Sequence, residues 1–139
     1  MRYLGLDLGS RTLGIAVSDP RGLIASSYGV IRHQEEYPEL VEKVKQLVEE
    51  LHIDQIVLGF PKNMNNTIGP KGELSIQFQK MLLDAVSIPV VLEDERLTTK
   101  LANDVLIRAD VSRKGRKGVV DEVAASLILQ AYLDRREKE

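Results

Sequence analysis

The chain has 139 residues, a net charge of −2, 43% hydrophobic and 29% charged residues, values that predict one ordinary globular domain spanning 1–139. It has no cysteine and two separated histidines, His33 and His52, which excludes disulfides, thiolate zinc sites and cysteine nucleophiles and disfavours a histidine-based zinc centre or a Ser-His-Asp triad. No apolar run reaches membrane-spanning length, and Asp7 interrupts the apolar N-terminal stretch, so a cytoplasmic protein with no membrane partner is expected.

Taken in order, Tyr3 to Leu8 is a short apolar strand ended by a Gly9-Ser10-Arg11 turn, and Leu13 to Ser18 is a second. After Pro20-Arg21-Gly22 a third extended run covers Leu23 to Ile31, and short strands between such turns predict an antiparallel meander. From Pro38 onward Leu40, Val41, Val44, Leu47, Val48 and Leu51 recur at helical spacing. Gln55 to Phe60 is a strand stopped by Pro61, Gly72 to Val86 a second helix, and Pro89 to Glu93 another strand. Helices follow from about Thr99 to Arg108 and from Val119 to Arg136. Alternating helix and strand in the second part implies parallel pairing with right-handed crossovers, hence an α/β fold with a mixed sheet and helices on both faces. His33, near a strand end, and His52, just past a helix, read as surface or boundary histidines.

Three acidic positions stand out. Strand alternation puts Tyr3, Gly5 and Asp7 on one face and Leu4, Leu6 and Leu8 on the other. A carboxylate within a strand is costly unless a cation pairs with it, although Asp also commonly ends a strand and holds a turn. The second position is the acidic run Glu93-Asp94-Glu95, at the carboxyl end of a parallel-type strand, where open α/β sheets place their sites. Glu93 and Glu95 share a face there, Asp94 points the other way, and spacing does not choose between the two glutamates; the alternative is a solvated cluster capping the next helix. The third is Asp121, expected in the first turn of an apolar helix, where the helix dipole alone would favour an acid. Oxygen donors from three elements, without histidine or cysteine, suit a hard ion such as Mg²⁺ or Mn²⁺.

Leu4-Gly5-Leu6-Asp7-Leu8-Gly9, Gly59-Phe60-Pro61-Lys62-Asn63-Met64-Asn65, Asp94-Glu95-Arg96-Leu97-Thr98-Thr99 and Asp121-Glu122-Val123-Ala124-Ala125 together resemble the bacterial pre-16S ribosomal RNA nuclease family, which is resolvase-like in sharing the RNase H-like fold with Holliday-junction resolvases. The resemblance spans almost the whole chain. It implies a five-stranded mixed sheet with three antiparallel strands first, and a metal-dependent nuclease trimming the 5′ end of the 16S precursor. It also implies that Asp7, Glu95 and Asp121 are the catalytic metal ligands, Glu95 being chosen as the Glu of Asp-Glu-Arg. In such a site one or two Mg²⁺ or Mn²⁺ ions would aim the attacking water and stabilise the leaving oxygen. Two positions depart from the family pattern: Asn66 stands where Gly is more usual and Lys71 where Arg is. Lys71 keeps the charge but loses the bidentate fork.

With a net negative chain, nucleic-acid binding needs a local basic patch. The segment Arg108 to Lys117, with Arg108, Arg113, Lys114, Arg116 and Lys117 broken by Gly115 and Gly118, reads as a flexible basic loop leading to Asp121 and suited to phosphates, or else as a solvated surface loop. Lys62, Asn63 and Lys71 in the polar loop after the fourth strand, and Arg96, are further candidates for nucleic-acid contact. The expected partner is precursor ribosomal RNA, free or within ribosomal particles, bound by a monomer or weak homodimer. Competing readings are a Holliday-junction resolvase acting on branched DNA, a non-catalytic RNA-binding module, and an actin-like ATPase fragment, since Asp7-Leu8-Gly9-Ser10-Arg11-Thr12-Leu13-Gly14 also resembles that phosphate loop; the ATPases close two domains around ATP, and one is expected here.

Overall fold

The computed structural model describes residues 1–61, 65, 67–94 and 113–137, with the side chains of the last helix described from 123 to 136. Strands β1 (Tyr3–Leu8), β2 (Thr12–Ser18) and β3 (Ala25–Arg32) form the antiparallel meander. Helix α1 (Tyr37–Glu50), β4 (Gln55–Phe60), α2 (Pro70–Ala85), β5 (Val90–Asp94) and helix α3 (Arg113–Glu137) follow. The five strands lie in the order β3-β2-β1-β4-β5, with β4 parallel to β1 and to β5.

The expected mixed sheet is therefore present, and it is covered on both sides. Leu4, Leu6, Leu13, Ile56, Leu58 and Val90 pack against Leu40 and Val44 of α1 and Phe78 and Leu82 of α2. Tyr3, Ala16 and Val57 pack on the other side against Ala125, Ile128, Leu129 and Leu133 of α3. Full burial of each Leu, Val or Phe in these layers stabilises by about 1.5–3 kcal/mol. No described helix is long and apolar enough to cross a membrane.

The boundaries differ from the sequence expectations for physical reasons. Strand β3 begins at Ala25 rather than Leu23 because the N–H groups of Leu23 and Ile24 donate to Asp19 Oδ1, at 2.8 and 2.9 Å, instead of to a neighbouring strand. Helix α2 starts at Pro70, a residue suited to a first turn because its missing N–H has no helical partner to lose. Gly72 then allows close approach: a Cβ there would lie 2.8 Å from Ile68 Cγ2 and 3.1 Å from the Pro61 carbonyl oxygen.

The largest correction concerns α3. It begins at Arg113, so Arg113, Lys114, Arg116 and Lys117 lie in a helix rather than in a flexible loop. Arg and Lys are good helix formers, and single glycines cost only about 1 kcal/mol each. Asp121 accordingly sits eight residues in, past the first turn, where the helix dipole no longer accounts for an acid. The helix expected from Thr99 to Arg108 lies outside the described residues.

Helix α3 runs antiparallel to β1. The Tyr3 ring centroid is 6.0 Å from that of Tyr132, and the Arg136 guanidinium lies 5.1 Å over the Tyr3 ring. Two residues further along β1, a Cβ at Gly5 would be 2.8 Å from Leu129 Cβ and 3.2 Å from the Ala125 carbonyl oxygen. Gly5 thus sets how closely the helix backbone approaches the strand.

Candidate active site

The carboxyl ends of β1, β4 and β5 lie abreast. Leu6, Leu58 and Leu92 are in register, so Asp7 and Glu93, one residue on in their strands, both belong to the α3 face. Asp7 is half-buried near the end of β1, paired across to Gly14 of β2. The turn that follows is tight: Gly9 N–H donates to the Thr12 carbonyl at 2.7 Å, and a Cβ at Gly9 would lie 2.9 Å from Thr12 Oγ1.

His33 holds that turn from behind. Its side chain is buried, with 4% exposure. Nε2 lies 3.1 Å from the Gly9 carbonyl oxygen and 3.2 Å from that of Thr12, while Nδ1 accepts the Glu35 N–H at 3.1 Å. Two carbonyls at Nε2 and a donor at Nδ1 select the neutral tautomer protonated on Nε2. The histidine read as a surface or boundary residue is thus a buried staple at a strand end. The Glu36 carboxyl at its side is held below the usual carboxylate range by its own N–H and that of Gln34. Burial raises the neighbouring Tyr37 phenol.

Of the two glutamates left open on spacing, Glu93 is committed elsewhere. It is 5% exposed and receives both guanidinium nitrogens of Arg135, Nη1 to Oε1 and Nη2 to Oε2, each at 2.6 Å. A carboxylate neutralised by a bidentate arginine is a poor donor to a cation. Asp94 ends β5 opposite Phe60 and faces away from Glu93.

Glu95, Arg96, Lys62 and Asn63 lie outside the described residues. Asp121 and Arg113, Lys114, Arg116 and Lys117 lie in α3, their side chains outside the described set. Lys71 is exposed in the first turn of α2, on the chain that leaves the carboxyl end of β4. Among the described residues no three His, Asp or Glu side chains form a metal-sized group. Asp7 is the one proposed ligand whose side chain is described, and as a half-buried oxygen donor it fits a hard divalent ion.

The sequence reading missed one feature at this end of the sheet. Arg11, Arg32, His33, Gln34 and Glu36 line a cavity of about 460 Å³. The signal was available in the alternation Val30, Ile31, Arg32, which puts Arg32 on the face of Asp7.

Residues 1–135 match the model of the RuvX family, described as a Holliday junction resolvase. A Geobacillus protein provisionally named a pre-16S rRNA nuclease is 51% identical over 138 residues, covering 99% of this chain and all of its own length. A Bacillus subtilis protein of the same provisional name is 52% identical over 135 residues, covering 96% of this chain and 98% of its own. Among solved structures, Thermus thermophilus RuvC in complex with a Holliday junction substrate aligns over 98% of this chain and 96% of its own, with TM-score 0.59 at 18% identity. Thermus thermophilus RuvC in a second structure gives TM-score 0.55 at 17% identity, over 99% of this chain and 97% of its own. These likenesses show the RNase H-like resolvase fold, and the match over nearly the full length shows that the chain belongs to the RuvX family.

Proposed function

We propose that this chain is a divalent-metal-dependent nuclease that processes the 5′ end of the 16S ribosomal RNA precursor, with Asp7, Glu95 and Asp121 as its acidic centre. The observation that carries this reading is the antiparallel register of α3 on β1. Tyr3 meets Tyr132 and Arg136, and Gly5 meets Leu129 and Ala125. Continued by one helical turn and one strand pair, that register would bring the Asp121 position of α3 towards Asp7. Glu95 follows two residues after Glu93, and the engagement of Glu93 by Arg135 favours Glu95 over Glu93 as the metal ligand.

Mg²⁺ or Mn²⁺, when bound, supplies Lewis acidity to the scissile phosphate and makes a water nucleophilic at neutral pH. The residues of the chain provide the rest. Asp7 donates oxygen from a position fixed by the β1–β2 ladder, and the neighbouring tight turn keeps its strand end from fraying. The basic first turns of α3 and Lys71 of α2 supply positive charge for the phosphates flanking the cut. The names of the relatives favour precursor rRNA as substrate, while the family's description and the fold of RuvC favour a branched DNA.

The deciding experiment is cleavage of a labelled 16S precursor RNA, bare and in ribosomal particles, beside a four-way DNA junction. Each is incubated with Mg²⁺, Mn²⁺ or EDTA, and with Asp7→Asn in place of the parent. Metal-dependent cutting of the RNA that disappears in Asp7→Asn is expected. Undiminished cutting by Asp7→Asn would overturn the assignment of the centre, and cutting of the junction alone would replace the substrate.

A further inference from the structure

Beyond the acidic centre, the sheet carries a second charged feature on its β3 side. Asp7 pairs with Gly14, Gly14 with Val30, and Thr12 with Arg32. Residues two apart share a face, so Arg32 belongs to the face of Asp7, one strand pair nearer the carboxyl end of β1. Strand spacing and rise put their Cα atoms roughly 12 Å apart.

Arg11 joins Arg32 from the β1–β2 turn, and both residues are exposed around the 460 Å³ cavity. The two segments are tied together. His33 N–H donates to the Arg11 carbonyl at 2.9 Å, and the buried His33 ring holds the Gly9 and Thr12 carbonyls. The guanidiniums therefore project from a braced turn and a strand end. Among the described residues neither is in an ion pair. The one carboxylate in the lining, Glu36, is turned onto the Gln34 N–H at 2.6 Å. Two arginines against one acid leave the cavity net positive in a chain whose net charge is −2.

We propose that Arg11 and Arg32 form a phosphodiester-backbone subsite that holds the nucleic-acid strand a few nucleotides from the phosphate at Asp7. The subsite rests on the nuclease reading for what happens at Asp7, but its ligand chemistry, a strand phosphate gripped by two guanidiniums, is measurable without any cutting. Arginine suits this task because its planar fork meets phosphate oxygens in pairs. The contact is to the backbone, so RNA and single-stranded DNA of one sequence are held alike. Glu36 opposes the anion, and neutralising it strengthens the grip.

The test is fluorescence anisotropy of a labelled 12-nucleotide single-stranded RNA, and of the same DNA sequence, in EDTA across a salt series. For Arg11→Gln/Arg32→Gln we expect about tenfold weaker binding of both strands and a log K against log salt slope shallower by about 1.4, the loss of two single-strand phosphate contacts. Glu36→Gln is expected to tighten binding. The charge-matched control Arg21→Gln/Lys80→Gln, two exposed residues in the β2–β3 turn and on α2 that do not line the cavity, is expected to keep the parental slope. Equal slopes for the parent and Arg11→Gln/Arg32→Gln would overturn the subsite and leave the nuclease reading standing. So would an equal loss in the control, and a loss confined to RNA would overturn a backbone contact. Normal metal-dependent cutting by Asp7→Asn, by contrast, would remove the acidic centre and leave the binding result untouched.

Discussion

Arg135 grips Glu93 through two parallel hydrogen bonds of 2.6 Å, joining the C-terminal part of α3 to the carboxyl end of β5. The two partners differ in setting, since the Glu93 side chain is 5% exposed and that of Arg135 is 56% exposed. Removing the arginine leaves a buried carboxylate unpaired, whereas removing both groups leaves an apolar contact. We expect Arg135→Ala to cost about 1–3 kcal/mol, less than for a fully buried pair because solvent already screens the guanidinium. Glu93→Leu/Arg135→Met is expected to recover most of the loss. Thermal melts of the single and double variants check this, and an Arg135→Ala protein as stable as the parent would contradict it.

The close approach at Gly5 gives a second expectation. A Cβ at that position meets Leu129 Cβ at 2.8 Å and the Ala125 carbonyl oxygen at 3.2 Å, atoms fixed to the helix backbone rather than at the end of a flexible side chain. Gly5→Ala must therefore push α3 away from β1, at a cost of about 1–3 kcal/mol. Leu129→Ala keeps its Cβ and is expected not to relieve the strain. Since α3 carries Asp121 and β1 carries Asp7, cleavage is expected to fall more than RNA affinity does. A Gly5→Ala protein with parental melting temperature and rate would show that the helix accommodates the methyl group.

How far the sequence revealed this molecule depends on the residue. The order of strands was legible because Tyr3 to Leu8 and Gln55 to Phe60 are short apolar runs bounded by turn residues. The placement of Asp7 on the face of Tyr3 and Gly5 followed from alternation alone. The start of α3 was not legible, because Gly115 and Gly118 look like breakers while their cost is offset by the Arg and Lys around them. Nor was the fate of Glu93: its partner is 42 residues away, and only tertiary packing brings Arg135 to it. His33 gave no sign of its role for the same reason, as its partners are carbonyls of a turn two strands earlier.

That histidine supports a third prediction. In His33→Ala the Gly9 carbonyl and the Glu35 N–H lose their ring partners in a partly buried place, which is expected to cost about 1 kcal/mol. The turn after Asp7 loosens at the same time, so activity is expected to drop before the fold melts. His33→Gln, which can offer one amide N–H to the turn, is expected to fall between. Amide exchange at Gly9 and Thr12 reads the loosening, and unchanged exchange in His33→Ala would rule it out.

Metal binding gives a fourth expectation independent of turnover. An ion that binds only the folded protein raises its melting temperature with concentration. Mg²⁺ or Mn²⁺ is expected to stabilise the parent and to stabilise Asp7→Asn less, whatever substrate the enzyme takes. Equal metal-induced shifts in the two proteins would place the ion away from Asp7.

Acidification probes the far end of the sheet. Asp19 Oδ1 accepts the N–H groups of Ile24 and Leu23, which hold its carboxyl below the usual carboxylate range. A folded pKa lower than the unfolded one means that the charged form favours the folded state. Its contribution is whole above the unfolded value, near 4, and is lost as pH falls through the lower folded value. Asp19→Asn keeps an acceptor oxygen but has no charge to titrate. The parent is therefore expected to melt at a higher temperature than Asp19→Asn at pH 7, with the gap closing as the pH is taken to 3 and below. A gap that stays constant over that range would mean that the turn from Asp19 to Ile24 is held by its geometry, with Gly22 at φ +71°, and not by the carboxylate charge.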